Sequence, residues 1–383
     1  MLNDVVICGG AVIGSAIAWN LAQIAPELRV TVIERDPSFQ FSSTALSASG
    51  IRQQFSNALN VAISQFGIAF IKGAQQRWGV DLNLREQGYL YLSATDMGAQ
   101  ILRENHSVQR AEGADVVLLS PSDIAARFPH LNTADLTLAS LGLSGEGWFD
   151  SVGLMNCYQA GARAKRINDE VVALHVTAGK IRSVSLASGT ELPCGAFINA
   201  AGPRAAKIAA MAGIEVPVEP RKRTNFTFDC AMPPEGDLPL MIDPSGVWVR
   251  PEGSHFLTGC CPTEDPAAAF EDFEPRFAEF EDIIWPALAA RSKSFEAIKM
   301  QRMWAGHYAY NVLDQNCITG AHPEIGNFYF ANGFSGHGLQ QSPAIGRGVA
   351  EVVALGCYKS LDLSALGYER ILKNEPMLEN CVI

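Results

Sequence analysis

The sequence predicts an α/β protein in which a parallel sheet, assembled from discontinuous segments, is joined to an α+β lobe with an antiparallel sheet. Three observations carry this. A strand, a glycine turn, a helix and a second strand open the chain. Two further glycine-punctuated strand ends lie much later, after Asn199 and at Gly333. Between them run short strand patterns broken by Pro and Gly. At 383 residues the chain exceeds what one hydrophobic core ordinarily serves, so two lobes are expected.

Asp4 to Cys8 is a short β-branched run, as a strand buried on both faces requires. Gly9-Gly10-Ala11-Val12-Ile13-Gly14 follows, and Ile13, Ile17, Leu21 and Ile24 then form one helical stripe that Pro26 ends. Arg29 to Ile33 is the second strand, closed by Glu34 and the turn Asp36-Pro37. This is a Rossmann-type βαβ unit. Its glycines permit a tight turn, close approach of backbone to a pyrophosphate, and packing of helix on strand. The helix N-terminus offers free N–H groups and positive potential to phosphates. Glu34 stands 20 residues after Gly14, where a carboxylate accepts hydrogen bonds from an adenosine ribose and disfavours a 2′-phosphate. Ala11 at the second motif glycine is a departure that tightens the approach.

Asn57 is expected to cap a helix carrying Val61, Phe66 and Phe70. Tyr89 to Leu92 and the segments 136–143, 224–230 and 246–259 read as strands of the antiparallel sheet. Phe273 to Ala290 reads as a helix beside it. Ala196 to Asn199 enters Ala200-Ala201-Gly202-Pro203 and a helix from Arg204 to Met211. Phe328 to Ala331 leads into Gly333-Phe334-Ser335-Gly336-His337-Gly338, with a helix N-capped by Ser342, opened by Pro343 and stopped at Gly356.

Composition narrows the function. Lys plus Arg number 29 against 40 Asp plus Glu, a net charge of -11, opposite to what a phosphate-tracking nucleic-acid binder carries. The longest apolar runs, about a dozen residues, are too short to span a bilayer, so no transmembrane segment is expected. Nine scattered cysteines without metal-ligand spacing read as reduced thiols and a cytoplasmic location, with no metal site.

With these residues in view, the chain resembles the FAD-dependent D-amino-acid oxidase superfamily, in the branch of sarcosine oxidase, glycine oxidase and the sarcosine and dimethylglycine dehydrogenases. The resemblance spans essentially the whole chain. It rests on Gly9 to Gly14 with Glu34, on the run Ser47 to Phe55, on Gly145-Glu146-Gly147-Trp148-Phe149-Asp150, on Asn199 to Pro203, and most specifically on Gly333 to Gly338. It implies a Rossmann-type FAD-binding domain (1–80, 145–220 and 305–383) plus an α+β substrate domain (81–144 and 221–304). By resemblance Gly9, Gly10, Ala11, Val12, Ile13 and Gly14 would hold the pyrophosphate, and Glu34 with Arg35 the adenosine. Ser42, Ser43, Ser49, Gly50 and Ile51 would line the flavin. Val171 would meet the adenine, and Ala200, Ala201 and Gly202 the ADP portion. Gly306 would also belong to the cofactor site, and the run Phe334, Ser335, Gly336, His337, Gly338, Leu339 and Gln340 would face the isoalloxazine.

The implied reaction is oxidation of the C–N bond of a small amino acid, a secondary N-substituted glycine-type amine (sarcosine-, iminodiacetate- or opine-like), with oxygen or an electron-transfer acceptor as the second partner. Arg52 stands where the family places its carboxylate-binding arginine, and its guanidinium offers a bidentate fork. Arg250 and Arg302 are further candidates. His307, Tyr308 and Tyr310 either place the amine, accept its proton through water, or form an ordinary packing cluster; His337 and Gln340 complete the candidate catalytic set. The chain also departs from the pattern. Gln340 replaces a lysine, His307 replaces the cysteine that binds flavin covalently, and no histidine near Ala45–Ser49 offers the other attachment. FAD is therefore expected to be non-covalent. Leu257 falls where sarcosine oxidase has its oxygen-linked lysine, which leaves oxidase and dehydrogenase both open. Oxidation of a 2-hydroxy acid or polyol phosphate is the alternative on this scaffold, and a non-catalytic flavin-binding assembly protein a second.

Overall fold

The computed structural model describes residues 4–380. Its first sheet has six strands in the order Ile318–Ala321, Phe328–Asn332, Ala196–Asn199, Asp4–Cys8, Arg29–Glu34 and Ala164–Asn168. The pairings are parallel except at the antiparallel edge strand Ile318–Ala321. The opening strand lies in the middle, with Cys8 opposite both Asn199 and Ile33. Its alternation decides what each face packs against. Val5 and Ile7 meet Ile17, Leu21, Ile345 and Val349 of the helices Val12–Ile24 and Gly338–Leu355. Val6 and Cys8 turn the other way, onto Val171, Ile181 and Ile208 of a small three-stranded sheet and the helix Ala205–Ala210.

The second sheet has eight strands, ordered Ile298–Asn311, Val218–Cys230, His255–Cys260, Val247–Glu252, Leu240–Ile242, Tyr89–Ser93, Leu138–Gly142 and Val116–Leu119. It is antiparallel throughout apart from one parallel pair, Leu240–Ile242 against Tyr89–Ser93. Leu90 and Leu92 point into a core with Phe226, Phe228, Ile284 and Leu288. Tyr89 and Tyr91 point oppositely, toward Leu102 of the helix Asp96–Ala111.

Three expectations need correction. The late helix starts at Gly338, not Ser342, with His337 at its N-cap and Pro343 inside it. Gln341 N–H already donates to the His337 carbonyl at 3.1 Å, and Pro343, whose fixed φ suits a helix, forfeits one backbone bond only. Its positive end therefore lies in the glycine turn itself. The helix expected over Phe273 to Ala290 is a π-helical turn, Phe280–Ile284, running into Trp285–Arg291. Pro275 disfavours helical backbone at Glu274. Instead the preceding residues form a cover tied to the rest of the protein through Arg204–Glu271 (2.7 Å), Lys222–Asp272 (2.7 Å) and Arg223–Asp265 (2.6 Å). Asn57 occupies the N-cap of the helix Ala58–Lys72, but its side chain donates to the Leu378 carbonyl at 2.7 Å rather than capping. Among the described residues no helix is long and apolar enough to cross a membrane.

Candidate active site

A cavity of about 310 Å³ runs from the end of the Arg29–Glu34 strand to the face of the second sheet. Its first half is nucleotide-shaped. Ala11, at the N-cap of the helix Val12–Ile24, has no capping side chain, and Ala11, Val12 and Ile13 line the wall. Val12 N–H donates to Thr44 Oγ1 at 3.3 Å, and the first-turn N–H groups, which have no partner within the helix, give this end its affinity for an anion. Gly9 sits at φ +105°, and a Cβ there would collide with the Ala200 carbonyl, so only glycine permits this approach. Gly10 and Gly14 shape the turn without lining the cavity. Gly10 N–H donates to Glu34 Oε2 at 2.8 Å, and Asp36 N–H to Oε1 at 2.9 Å, which fixes the carboxylate on the cavity wall. Arg35, Ser42, Ser43, Val171, Ala200, Ala201 and Gly202 line the same half. Ser49 and Ile51 do not, whereas Gly50 between them does.

The second half carries the ionisable groups. Gly306, His307, Tyr308 and the entire run Phe334 to Gln340 face it, and Arg52 joins them. Arg52 is buried, its guanidinium 4.1 Å from the centre of the Phe55 ring. Its Nη1 donates to the Gln54 carbonyl, and its Nη2 lies 3.2 Å from His337 Nε2. A guanidinium has no acceptor, so His337 Nε2 accepts and the ring proton belongs on Nδ1. Burial, together with the charge of Arg52, pushes His337 down to about 3, which keeps the imidazole neutral at pH 7. Gln340 Oε1 accepts from the backbone N–H of Arg52 at 2.8 Å. Tyr308 is held protonated by burial, opposed by nearby Arg223 and Arg52. His307 is lowered by burial, donates from Nε2 to the Asp272 carbonyl at 2.7 Å, and stacks on Phe273.

Other sequence candidates fall elsewhere. Arg302 is exposed and does not line the cavity. Arg250 is buried but committed to the Ala48 and Pro251 carbonyls and to Glu252, with its guanidinium over Trp148, so it braces the loop before Gly50 instead. Tyr310 lies outside the cavity, its hydroxyl accepting from Gln315 at 2.7 Å. Arg223 also lines the cavity, bidentate to Asp265 and over the Tyr308 ring at 5.0 Å. Tyr89, Asn225 and Trp248 complete this wall. None of these four stood out in the sequence, because each is an isolated residue in a strand pattern and carries no local motif.

A parallel sheet with a glycine turn at its central strand, an acid closing the next strand and a cavity reaching across to a second sheet define a dinucleotide-dependent redox protein. The chain belongs to the FAD dependent oxidoreductase family, which it matches over residues 4–352. Its cofactor is FAD, and the open helix N-terminus, the Gly9 approach and the Glu34 carboxylate fit that group. The chain is 39% identical to FAD-dependent oxidoreductase domain-containing protein 1 of Xenopus laevis, over 99% of this chain and 85% of that protein. Among solved structures, L-proline dehydrogenase from P. horikoshii superposes with a TM-score of 0.86 at 26% identity, covering 98% of this chain and 99% of that one. Glycine oxidase from Geobacillus kaustophilus shares the fold, with a TM-score of 0.81 at 23% identity over 95% of this chain and 97% of that one.

Proposed function

We propose that the protein oxidises the C–N bond of a small amino acid, a secondary N-substituted glycine-type amine, using non-covalently held FAD. The observation that carries the reading is Arg52, a buried guanidinium on the wall of the cavity, beside the Gly336–Gln340 turn. With net charge -11, long-range attraction for a carboxylate is absent, so recognition has to be short-range, and Arg52 supplies it. When bound, FAD would supply the acceptor for the hydride equivalent lost from the carbon beside nitrogen, and water would hydrolyse the resulting imine.

The chain's own residues bind and orient. Neutral His337 accepts from Arg52 and holds the guanidinium plane without adding charge. The start of the helix Gly338–Leu355 brings its positive end to the same wall, where it favours negative charge on a bound group. Neither His307, whose Nε2 proton is committed to a carbonyl, nor protonated Tyr308 is a strong base. The amine therefore reacts as its neutral form, which burial in the cavity favours by desolvation. The L-proline dehydrogenase and iminodiacetate oxidase among the structural relatives act, by their names, on secondary amines.

Anaerobic titration of the flavin absorbance with a panel of amines and hydroxy acids tests the reading. Bleaching by sarcosine-like or proline-like amino acids is expected. Bleaching by 2-hydroxy acids alone would transfer the chain to the alternative reaction, and no bleaching by any member would make it non-catalytic.

A further inference from the structure

We propose that Glu146 is a positioning residue for substrate recognition, acting through Arg52. This rests on the reading that Arg52 holds the substrate carboxylate. Glu146 is fully buried and absent from the cavity wall, so it touches neither substrate nor cofactor. Its carboxylate nonetheless gathers the segments that bear the recognition surface. Oε1 accepts from the backbone N–H groups of Gln53 (2.7 Å) and Gln54 (3.1 Å), the two residues that follow Arg52. Oε2 accepts from Gln54 Nε2 (2.8 Å) and from Tyr89 N–H (3.2 Å). Gln54 in turn donates to the Tyr89 carbonyl at 3.0 Å and accepts from Ser140.

One carboxylate thus clamps the Arg52–Gln54 backbone to the strand that places Tyr89 on the cavity. From the opposite side Gln340 accepts from Arg52 N–H, so the backbone at Arg52 is gripped from two directions. The Gln54 carbonyl that receives the Arg52 guanidinium belongs to the same clamped segment, which links the carboxylate to the side-chain direction. The chain bends at Ser144 and Gly145, the latter at φ +71°, just before Glu146. Gly147 has φ +151°, and a Cβ on it would overlap the Arg85 carbonyl. A buried carboxylate is costly unless its hydrogen bonds are complete, and here four donors meet it. The charge of Arg52 also favours the ionised form, while burial raises Glu146 to about 7.

The test uses holoenzyme carrying Glu146→Gln, Arg52→Lys, or both. Acetate, a carboxylate that cannot be oxidised, is titrated against the flavin spectrum, and kcat and KM are measured with an amino acid that bleaches the wild type. Glu146→Gln is expected to raise the acetate Kd and the KM at least tenfold with kcat and FAD affinity within about threefold of wild type. In the Arg52→Lys background the same substitution should change the acetate Kd less than twofold, because a residue acting through Arg52 has nothing left to position. An unchanged acetate Kd in Glu146→Gln, or an undiminished effect in the Arg52→Lys background, overturns the proposal while leaving the Arg52 reading intact. If Arg52→Lys alone leaves acetate binding unchanged, both fall together. Should Glu146→Gln fail to fold, Glu146→Asp, which keeps the charge but withdraws it by one methylene, is judged by the same criteria.

Discussion

Replacing Arg52 with lysine tests the site most directly, because the charge survives while the geometry does not. The guanidinium engages the Gln54 carbonyl and His337 Nε2 and lies against Phe55 at 4.1 Å, a planar geometry that suits the proposed contact with a carboxylate. An ammonium on a flexible stem cannot keep both anchors and also offer two parallel donors. Loss of one charge-assisted hydrogen bond to substrate costs about 1.5–3 kcal/mol, which corresponds to roughly 10- to 150-fold. The ring contact adds about 0.5–1 kcal/mol of ordering that lysine only partly reproduces. The expected outcome for Arg52→Lys is retained FAD and a kcat/KM for the amino acid at least tenfold lower, measured by steady-state turnover and by the rate of anaerobic flavin reduction. Constants within twofold of wild type would show that the carboxylate binds elsewhere and that Arg52 has no part in substrate recognition.

Glu34→Ala is expected to weaken FAD by about 1.5–3 kcal/mol if the carboxylate bonds the ribose, read as flavin affinity by ultrafiltration. An unchanged affinity would leave Glu34 as a brace for Gly10 and Asp36 only. Acid or heat precipitation should release intact FAD into the supernatant; flavin retained on the chain would contradict a non-covalent cofactor. His337 should give the apoprotein a pH-dependent stability. In the unfolded chain it takes up a proton near pH 6.5, in the folded protein only near 3, so the unfolded state binds more protons between those values. Stability should therefore fall as pH drops through that window, and His337→Asn should flatten the slope in chemical denaturation. An identical slope in the variant would mean the imidazole is charged in the folded state.

The parts legible in the sequence were those whose chemistry is local. Gly9, Glu34 and the helix between them form one contiguous unit whose spacing fixes its geometry, and the Gly333–Gly338 turn announces itself by glycine density alone. The far wall of the cavity was not legible. Arg223 and Tyr89 reach it through pairings that run from Val218–Cys230 by way of three further strands to Tyr89–Ser93, and no short-range pattern encodes that register. Arg250 and Arg302 misled for the same reason. Strand alternation reports that a side chain faces in or out, but not that Arg250 spends its donors on Ala48 and Glu252. Pro343 misplaced the helix start because proline at the first position of a helix is the commoner arrangement.

The central place of the opening strand has a consequence during synthesis. Asp4–Cys8 precedes both of its neighbours, yet one of them, Ala196–Asn199, comes much later, and the helix Gly338–Leu355 that covers its face comes later still. At about 5–20 residues per second, the N-terminal βαβ unit waits roughly 15–60 s on the ribosome before its apolar face is closed. The nascent unit is thus exposed to aggregation throughout that interval, and the cavity, which the Gly333–Gly338 turn helps to line, is completed only near its end. Full enclosure of a ligand in the cavity accordingly awaits that late turn, and anything bound to the finished fold stabilises it by mass action.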